Sequence, residues 1–342
     1  MIEFTEASIN KLALHRISLE EENSFVSDEI IEIVNEEEEE TLKRIFLKSF
    51  QSNSITYEFK HEIDIELNTL LKLAKNIYNG DSFLRKSKSI YQHLKAVSKH
   101  PNIKDGDLFI VKFDEVKINN KFYEALGIYK IENKESFIET STNRKGEIGI
   151  NYRKGIGSKR LDKACLIIFT EDPFTVLIID NNSSETDYWQ NEFLKVELRN
   201  DNVNNTNQFL SLAKSYVTQQ LPTEFEVSRA EQIDLLNRSV EYFKTHDNFE
   251  KKEFEKEVLQ DVGIIKSFRN FDSTYKEENA IEIADDFSIS PQAVKKQARV
   301  FKSVLKLDKN FHIYIHGDRE LIEQGVEKDG RKYYKIYFET ES

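Results

Sequence analysis

Two short apolar runs, Ala164 to Phe169 and Thr175 to Asp180, constrain the fold of this chain more than any other feature. A strand with one face in water alternates apolar and polar residues, whereas a continuous apolar run needs cover on both faces. Each run has strand length and is far short of the ~20 residues that a membrane helix needs. Glu171-Asp172-Pro173 supplies a turn between them. The runs are therefore expected to pair as the central strands of an antiparallel sheet covered on both sides.

The surrounding sequence extends this reading. Leu108 to Ile118, Lys121 to Ile131, Ser136 to Thr140 and Ile148 to Tyr152 alternate with a period of two and read as strands. Asn119-Asn120 suits a tight hairpin turn, because Asn tolerates positive φ. Thr41 to Phe50, Glu66 to Tyr78 and Ser82 to Val97 carry apolar residues at helical spacing. Beyond Asn200 the spacing is again helical over Asn205 to Gln219, Arg229 to Thr245 and Lys251 to Leu259. Strands return at Phe311 to His316 and, after the Asp329-Gly330 turn, at Tyr333 to Phe338. The expected class is α+β. An N-terminal part has an antiparallel sheet and flanking helices, and a mainly helical C-terminal part ends in a β-hairpin. A length of 342 residues suits about two domains. The Asn- and Asp-rich stretch 200–207 suggests a boundary there, giving domains 1–200 and 201–342.

Charged residues make up 32% of the chain, but 24 Phe and 14 Tyr provide the apolar surface that disordered chains lack. The single Cys165 excludes an intramolecular disulfide and a Cys-based zinc site, and its apolar neighbours suggest an inert, buried thiol. The first residues show no basic segment followed by an apolar one, so a secretory leader is not expected. A cytoplasmic protein with no membrane association follows as the expectation.

The net charge is -12. It disfavours a protein that coats nucleic acid uniformly, yet a local basic stripe can still meet phosphate. The charge is unevenly placed. Glu20 to Glu40 holds eleven acidic residues and no Lys or Arg, as a solvated loop and helix start. Arg144 to Lys163 holds seven cations (Arg144, Lys145, Arg153, Lys154, Lys159, Arg160 and Lys163) against Glu147 and Asp162. Glycines thread this segment, which reads either as a plain basic hairpin or as a phosphate contact where glycine allows close backbone approach. The Walker A and G-x-G-x-x-G spacings are absent.

The second basic concentration is Pro291 to Leu307, which is expected to form one helix with Ser290 as N-cap and Pro291 at the first position. Val294, Ala298, Phe301 and Leu305 would share one face. Lys295, Arg299, Lys302 and Lys306 would form a parallel stripe about 100° away, extended by Lys296. Such a stripe could follow a phosphate backbone without reading sequence. The stretch 281–300 also resembles a helix-turn-helix, with Ala284 at the small position of the first helix, Ser288 at the turn and Val294 in the second helix. An ordinary basic helix packed on the terminal strands is the competing reading.

Catalytic signals are weak. His312 and His316 would share one side of a strand, with Asp318 nearby, but a half-exposed strand face explains them equally. Asp180, Asp187 and Glu192 with Lys195 loosely match a metal-dependent nuclease constellation, a spacing common by chance. Trp189, between Tyr188 and Phe193, reads as a core anchor rather than a base-stacking platform.

Several blocks together resemble the bacterial nucleoid-associated protein family of the YejK/NdpA type. They are Leu161 to Phe169, Val176 to Asp180, Asp187 to Leu194, Asn204 to Leu210, Gln292 to His316 and Asp329 to Phe338. The resemblance implies a non-enzymatic, nucleoid-located protein that binds double-stranded DNA, with topoisomerase or other nucleoid proteins as partners and a homodimer as a conceivable assembly. It implies no catalytic residue, metal or cofactor. The expected DNA contacts are Lys295, Lys296, Arg299, Lys302 and Lys306 with Arg153, Lys154, Lys159, Arg160 and Lys163. Two alternatives stand beside this reading: a metal-dependent nuclease acting on DNA, and a protein-interaction scaffold brought to DNA by a topoisomerase-like partner.

Overall fold

The computed structural model describes residues 2–51, 55–142, 146, 148–181, 188–279, 281–298, 304–314 and 321–340. The chain divides into two compact units, Met1–Arg199 and Asn200–Ser342.

The first unit has strands β1 Ile2–Glu3, β2 Ser8–Ile17, β3 Phe25–Val26, β4 Tyr57–Phe59, β5 Gly106–Ile118, β6 Lys121–Ile131, β7 Glu135–Thr142, β8 Ile148–Gly155, β9 Lys163–Ile168, β10 Thr175–Asp180 and β11 Val196–Leu198. Its helices are α1 Glu36–Leu47, α2 Thr69–Tyr78 and α3 Phe83–Val97. The main sheet is antiparallel in the order β11-β4-β10-β9-β6-β5-β2-β3, with β1 on β5. The two apolar runs pair as foreseen, Val176 opposite Ile167 and Ile178 opposite Cys165. Every residue of β9 is buried. Cys165 and Ile167 enter one core, where α2 brings Leu70, Ala74 and Ile77 and α3 brings Ile90 and Leu94. Ala164, Leu166 and Ile168 enter another, filled by Ile45, Phe46 and Leu47 of α1. Helical cover on both faces is the reason the run is apolar throughout.

Local chemistry sets the edges of these elements. Glu36 to Glu39 form the first turn of α1, where the helix dipole favours carboxylates, and the Asn35 side chain accepts from the Glu38 N–H at 2.9 Å. Asn119 and Asn120 take φ values of 48° and 68°, and Ile118 pairs with Lys121, as a two-residue hairpin requires. Trp189 is fully buried, and its indole N–H donates to the Ala164 carbonyl at 3.4 Å, which makes it a core anchor. Burial pushes the Cys165 thiol upward, so it stays protonated and inert.

The second unit has helices α4 Asn202–Ser215, α5 Leu221–Glu224, α6 Arg229–Thr245, α7 Lys251–Phe254, α8 Val262–Glu278 and α9 Pro291–Ala298. Its strands are β12 Asn248–Glu250, β13 Asp286–Ser288, β14 Val304–Leu307, β15 Phe311–Tyr314, β16 Ile322–Val326 and β17 Lys332–Ile336. Phe209 is the hub of an aromatic core, 4.2 Å from Phe249 and 5.0 Å from Phe254 between ring centroids. Ser228 and Glu231 close a capping box at the start of α6. Helix α8 has no counterpart among the expected elements. Ile264, Ile265, Phe268, Phe271 and Tyr275 recur at helical spacing and pack on the core of this unit, a period legible in the sequence, although Ser267 and Asp272 are buried beside them. Asp272 is held there by Lys251 at 2.6 Å and Lys276 at 3.2 Å.

Two expectations for the basic C-terminal segment are corrected. Helix α9 is described over Pro291–Ala298, and 304–307 is a strand, not the end of that helix, with Val304 opposite Tyr314 and Leu307 opposite Phe311. The strand geometry carries Leu307 and Ile313 against the buried Ile233 of α6, a packing that a continued helix would forgo. The helix-turn-helix is also excluded. Its would-be first helix is extended, and Phe287 on β13 pairs with Phe249 on β12, ring centroids 4.8 Å apart. Buried side chains of α4 hold this extended limb in place. Asn205 accepts from the Ala284 N–H at 3.4 Å and Thr206 from the Ser290 N–H at 3.1 Å.

Candidate nucleic-acid interface

The first basic segment forms an amphipathic ribbon. Among the described residues, strands β7 and β8 pair only with each other, from Glu135 opposite Gly155 to Thr142 opposite Ile148. Nearly every residue of the ribbon is solvent-exposed. Because side chains alternate, Ile138, Tyr152, Ile150 and Ile148 share one face with Thr140, Thr142, Ser136 and Lys154. Phe137, Arg153, Glu139 and Asn151 share the other. Arg153 Nε lies 3.3 Å from Glu139, a pair more than half exposed on both sides. Such a pair contributes about 0–1 kcal/mol, so Arg153 is easily released to another anion. Lys154, Lys159 and Arg160 are exposed, and Arg160 also donates to the Asn181 carbonyl at 2.8 Å. Arg144 and Lys145 lie outside the described residues.

The glycines of this segment have a steric role. A Cβ at Gly155 would stand 2.8 Å from the Phe137 ring, and one at Gly157 would strike the Glu135 carboxylate. These positions admit cross-strand and neighbouring side chains, which accounts for them without a phosphate.

Lys163 is corrected outright. It is 2% exposed, and its ammonium donates to Asp180 at 2.7 Å under the Tyr188 ring, 5.2 Å from the ring centroid. It stands directly opposite Lys130 on β6, which is also buried. Lys130 donates to Glu132 at 2.7 Å and to the Tyr188 hydroxyl at 3.2 Å. Burial holds the Lys130 amine below the ordinary lysine range, with Glu132 opposing that shift. This buried lysine pair is an internal polar network and offers no cation to a ligand at the surface. The sequence carries a signal for it, because Leu126, Ile128 and Lys130 fall on one side of β6. The same network engages Asp180, the first acid of the nuclease-like set. Glu192 and Lys195 are exposed, and Asp187 lies outside the described residues.

In the second unit, Ser290 caps α9 as expected, accepting from the Ala293 N–H at 3.4 Å. Ala293 and Val294 are buried, while Lys295 and Lys296 are exposed on the outer side. Gln297 reaches Asn207 of α4 at 3.3 Å, which explains a polar residue at a position suited to a hydrophobe. Arg299 and Lys302 lie outside the described residues, and Lys306 is on β14 opposite His312. Of the expected stripe, Lys295 stands on α9 beside Lys296, whereas Lys306 is on a separate strand. His316 also lies outside the described residues.

No helix among the described residues is long and apolar enough to cross a membrane. No curated protein matches the chain. A family model described as nucleoid-associated protein YejK matches residues 13–332, nearly the whole length.

Proposed function

We propose, because the chain belongs to the nucleoid-associated protein YejK family, that it binds double-stranded DNA in the nucleoid through phosphate contacts and without catalysis. The observation that carries this reading is the exposed ribbon β7–β8 with Arg153, Lys154, Lys159 and Arg160 at its root. A two-stranded ribbon has the dimensions of the DNA major groove, and cations beside it would fall near the phosphates that flank the groove. Lys295, Lys296 and Lys306, with Arg299 and Lys302, are the second proposed contact. The acidic remainder of the surface would repel DNA and limit binding to these places.

The partners proposed beyond DNA are a topoisomerase or another nucleoid protein, and a second copy of the chain. The apolar ribbon face formed by Ile138, Tyr152, Ile150 and Ile148 supports a protein contact, since an isolated ribbon leaves that face in water.

Changing Arg153, Lys154, Lys159 and Arg160 together to Ala should weaken duplex binding. It should also flatten the salt dependence, by about one unit of slope for each lost phosphate contact. Fluorescence anisotropy across a salt series measures both. An unchanged affinity and slope would reject the ribbon as the contact. Cleavage of plasmid by the pure protein with Mg²⁺ or Mn²⁺, absent with chelator, would overturn the non-enzymatic reading.

A further inference from the structure

Among the described residues, His246, Glu253 and Glu257 bring an imidazole and two carboxylates to one point, with ligand atoms all within 4.8 Å of one another. We propose that these three side chains bind a single divalent transition-metal ion of the zinc class. The second unit builds the geometry from its aromatic core outward. His246 follows the last turn of α6, one turn beyond Tyr242. Glu253 lies on α7 and Glu257 on the π-turn that continues it, and the residue after each, Phe254 and Val258, is buried. The core residues therefore anchor the segment, and the two glutamates project from it on the same side.

The histidine is oriented for a metal. Its Nδ1 lies 3.0 Å from the Tyr242 carbonyl, which can only accept, so Nδ1 carries the proton in the neutral ring. Nε2 then presents a lone pair towards Glu257, whose oxygen is 3.7 Å away. Backbone fixing of the distal ring proton is the usual way a metal-bound histidine is oriented. The Tyr242 ring stacks on the imidazole with centroids 4.1 Å apart and planes at 17°. Its hydroxyl donates to Glu253 at 2.9 Å, which positions one carboxylate oxygen and leaves the other for a ligand. Tyr242 is thus a positioning residue for both sides of the site.

The donor set selects the ion. Two carboxylates balance a +2 charge, and the imidazole nitrogen favours zinc over the hard ions Mg²⁺ and Ca²⁺. Zinc bonds to N and O are about 2.0–2.2 Å, so closing on the ion draws the three ligand atoms together and leaves a fourth position for water. His246 and Glu257 side chains are 31% and 48% exposed, so the ion has a path from solvent and the glutamate can move.

Titration of metal-free full-length protein with Zn²⁺ alone, followed by calorimetry, tests the site. We expect one equivalent of Zn²⁺ per chain, bound at least about tenfold more tightly than Mg²⁺. His246→Gln and Glu257→Gln should each weaken uptake by about tenfold or more while leaving the far-ultraviolet circular dichroism unchanged. Failure of the wild type to take up Zn²⁺, or equal uptake by both variants, would overturn the assignment.

Discussion

Asp180→Ala is expected to lower the unfolding free energy of the first unit by about 3–5 kcal/mol, because it strips the counter-ion from a buried lysine. Lys163 is 2% exposed and its ammonium lies 2.7 Å from Asp180, directly opposite a second buried lysine, Lys130. Without Asp180 the two ammonium groups would share Glu132 and the face of the Tyr188 ring. Lys163→Met should cost less, since an apolar side chain of similar length removes the charge along with the need to pair it. The chain has one tryptophan, Trp189, fully buried in this unit, so its emission reports the unfolding of the first unit specifically. Denaturant midpoints that coincide for wild type and Asp180→Ala would contradict the buried network.

The second large effect is a dependence of stability on pH centred on His15. This side chain on β2 is fully buried. The Ser27 N–H donates to its Nδ1 at 3.1 Å, and its Nε2 lies 3.1 Å from the Ser87 hydroxyl, which itself donates to the Leu84 carbonyl. The neutral ring with its proton on Nε2 satisfies all of these groups. Burial, with Lys88 adding to it, lowers its pKa from 6.5 to about 4. An unfolded chain therefore takes up this proton as pH falls below 6.5, whereas the folded chain resists it until about pH 4. The stabilisation is complete above the unfolded value and is lost as pH falls through that window. It amounts to on the order of 3 kcal/mol. Urea unfolding followed by Trp189 emission at pH 7 and pH 4.5 should show the loss in wild type and a shallower profile in His15→Gln. Parallel profiles for the two proteins would refute the assignment to His15.

The basic segments show where reading a sequence succeeds and where it stops. Ser290 as a cap, Val294 as an anchor and Lys295 as an outward cation all follow from local chemistry, and the structure has them so. The stripe failed at Lys306 because helical spacing continues on paper through Leu305, while packing of Leu307 and Ile313 against Ile233 accompanies a strand over 304–307. Lys163 failed for a related reason. Its place in a run of cations suggested surface, but its strand is fully buried and its partners come from β6 and β10.

The apolar runs behave in the opposite way. Their continuity demanded cover on both faces, and the structure provides α2 and α3 on one side and α1 on the other. What the chain determines by itself is period, cap and turn, because these depend on neighbours within a few residues. Which charge faces water, which lysine meets which carboxylate, and which histidine turns a lone pair towards two glutamates were decided only by tertiary structure. Strand pairing and helix packing bring those groups together from distant positions, and the free energy of burying a charge depends on what lies opposite it.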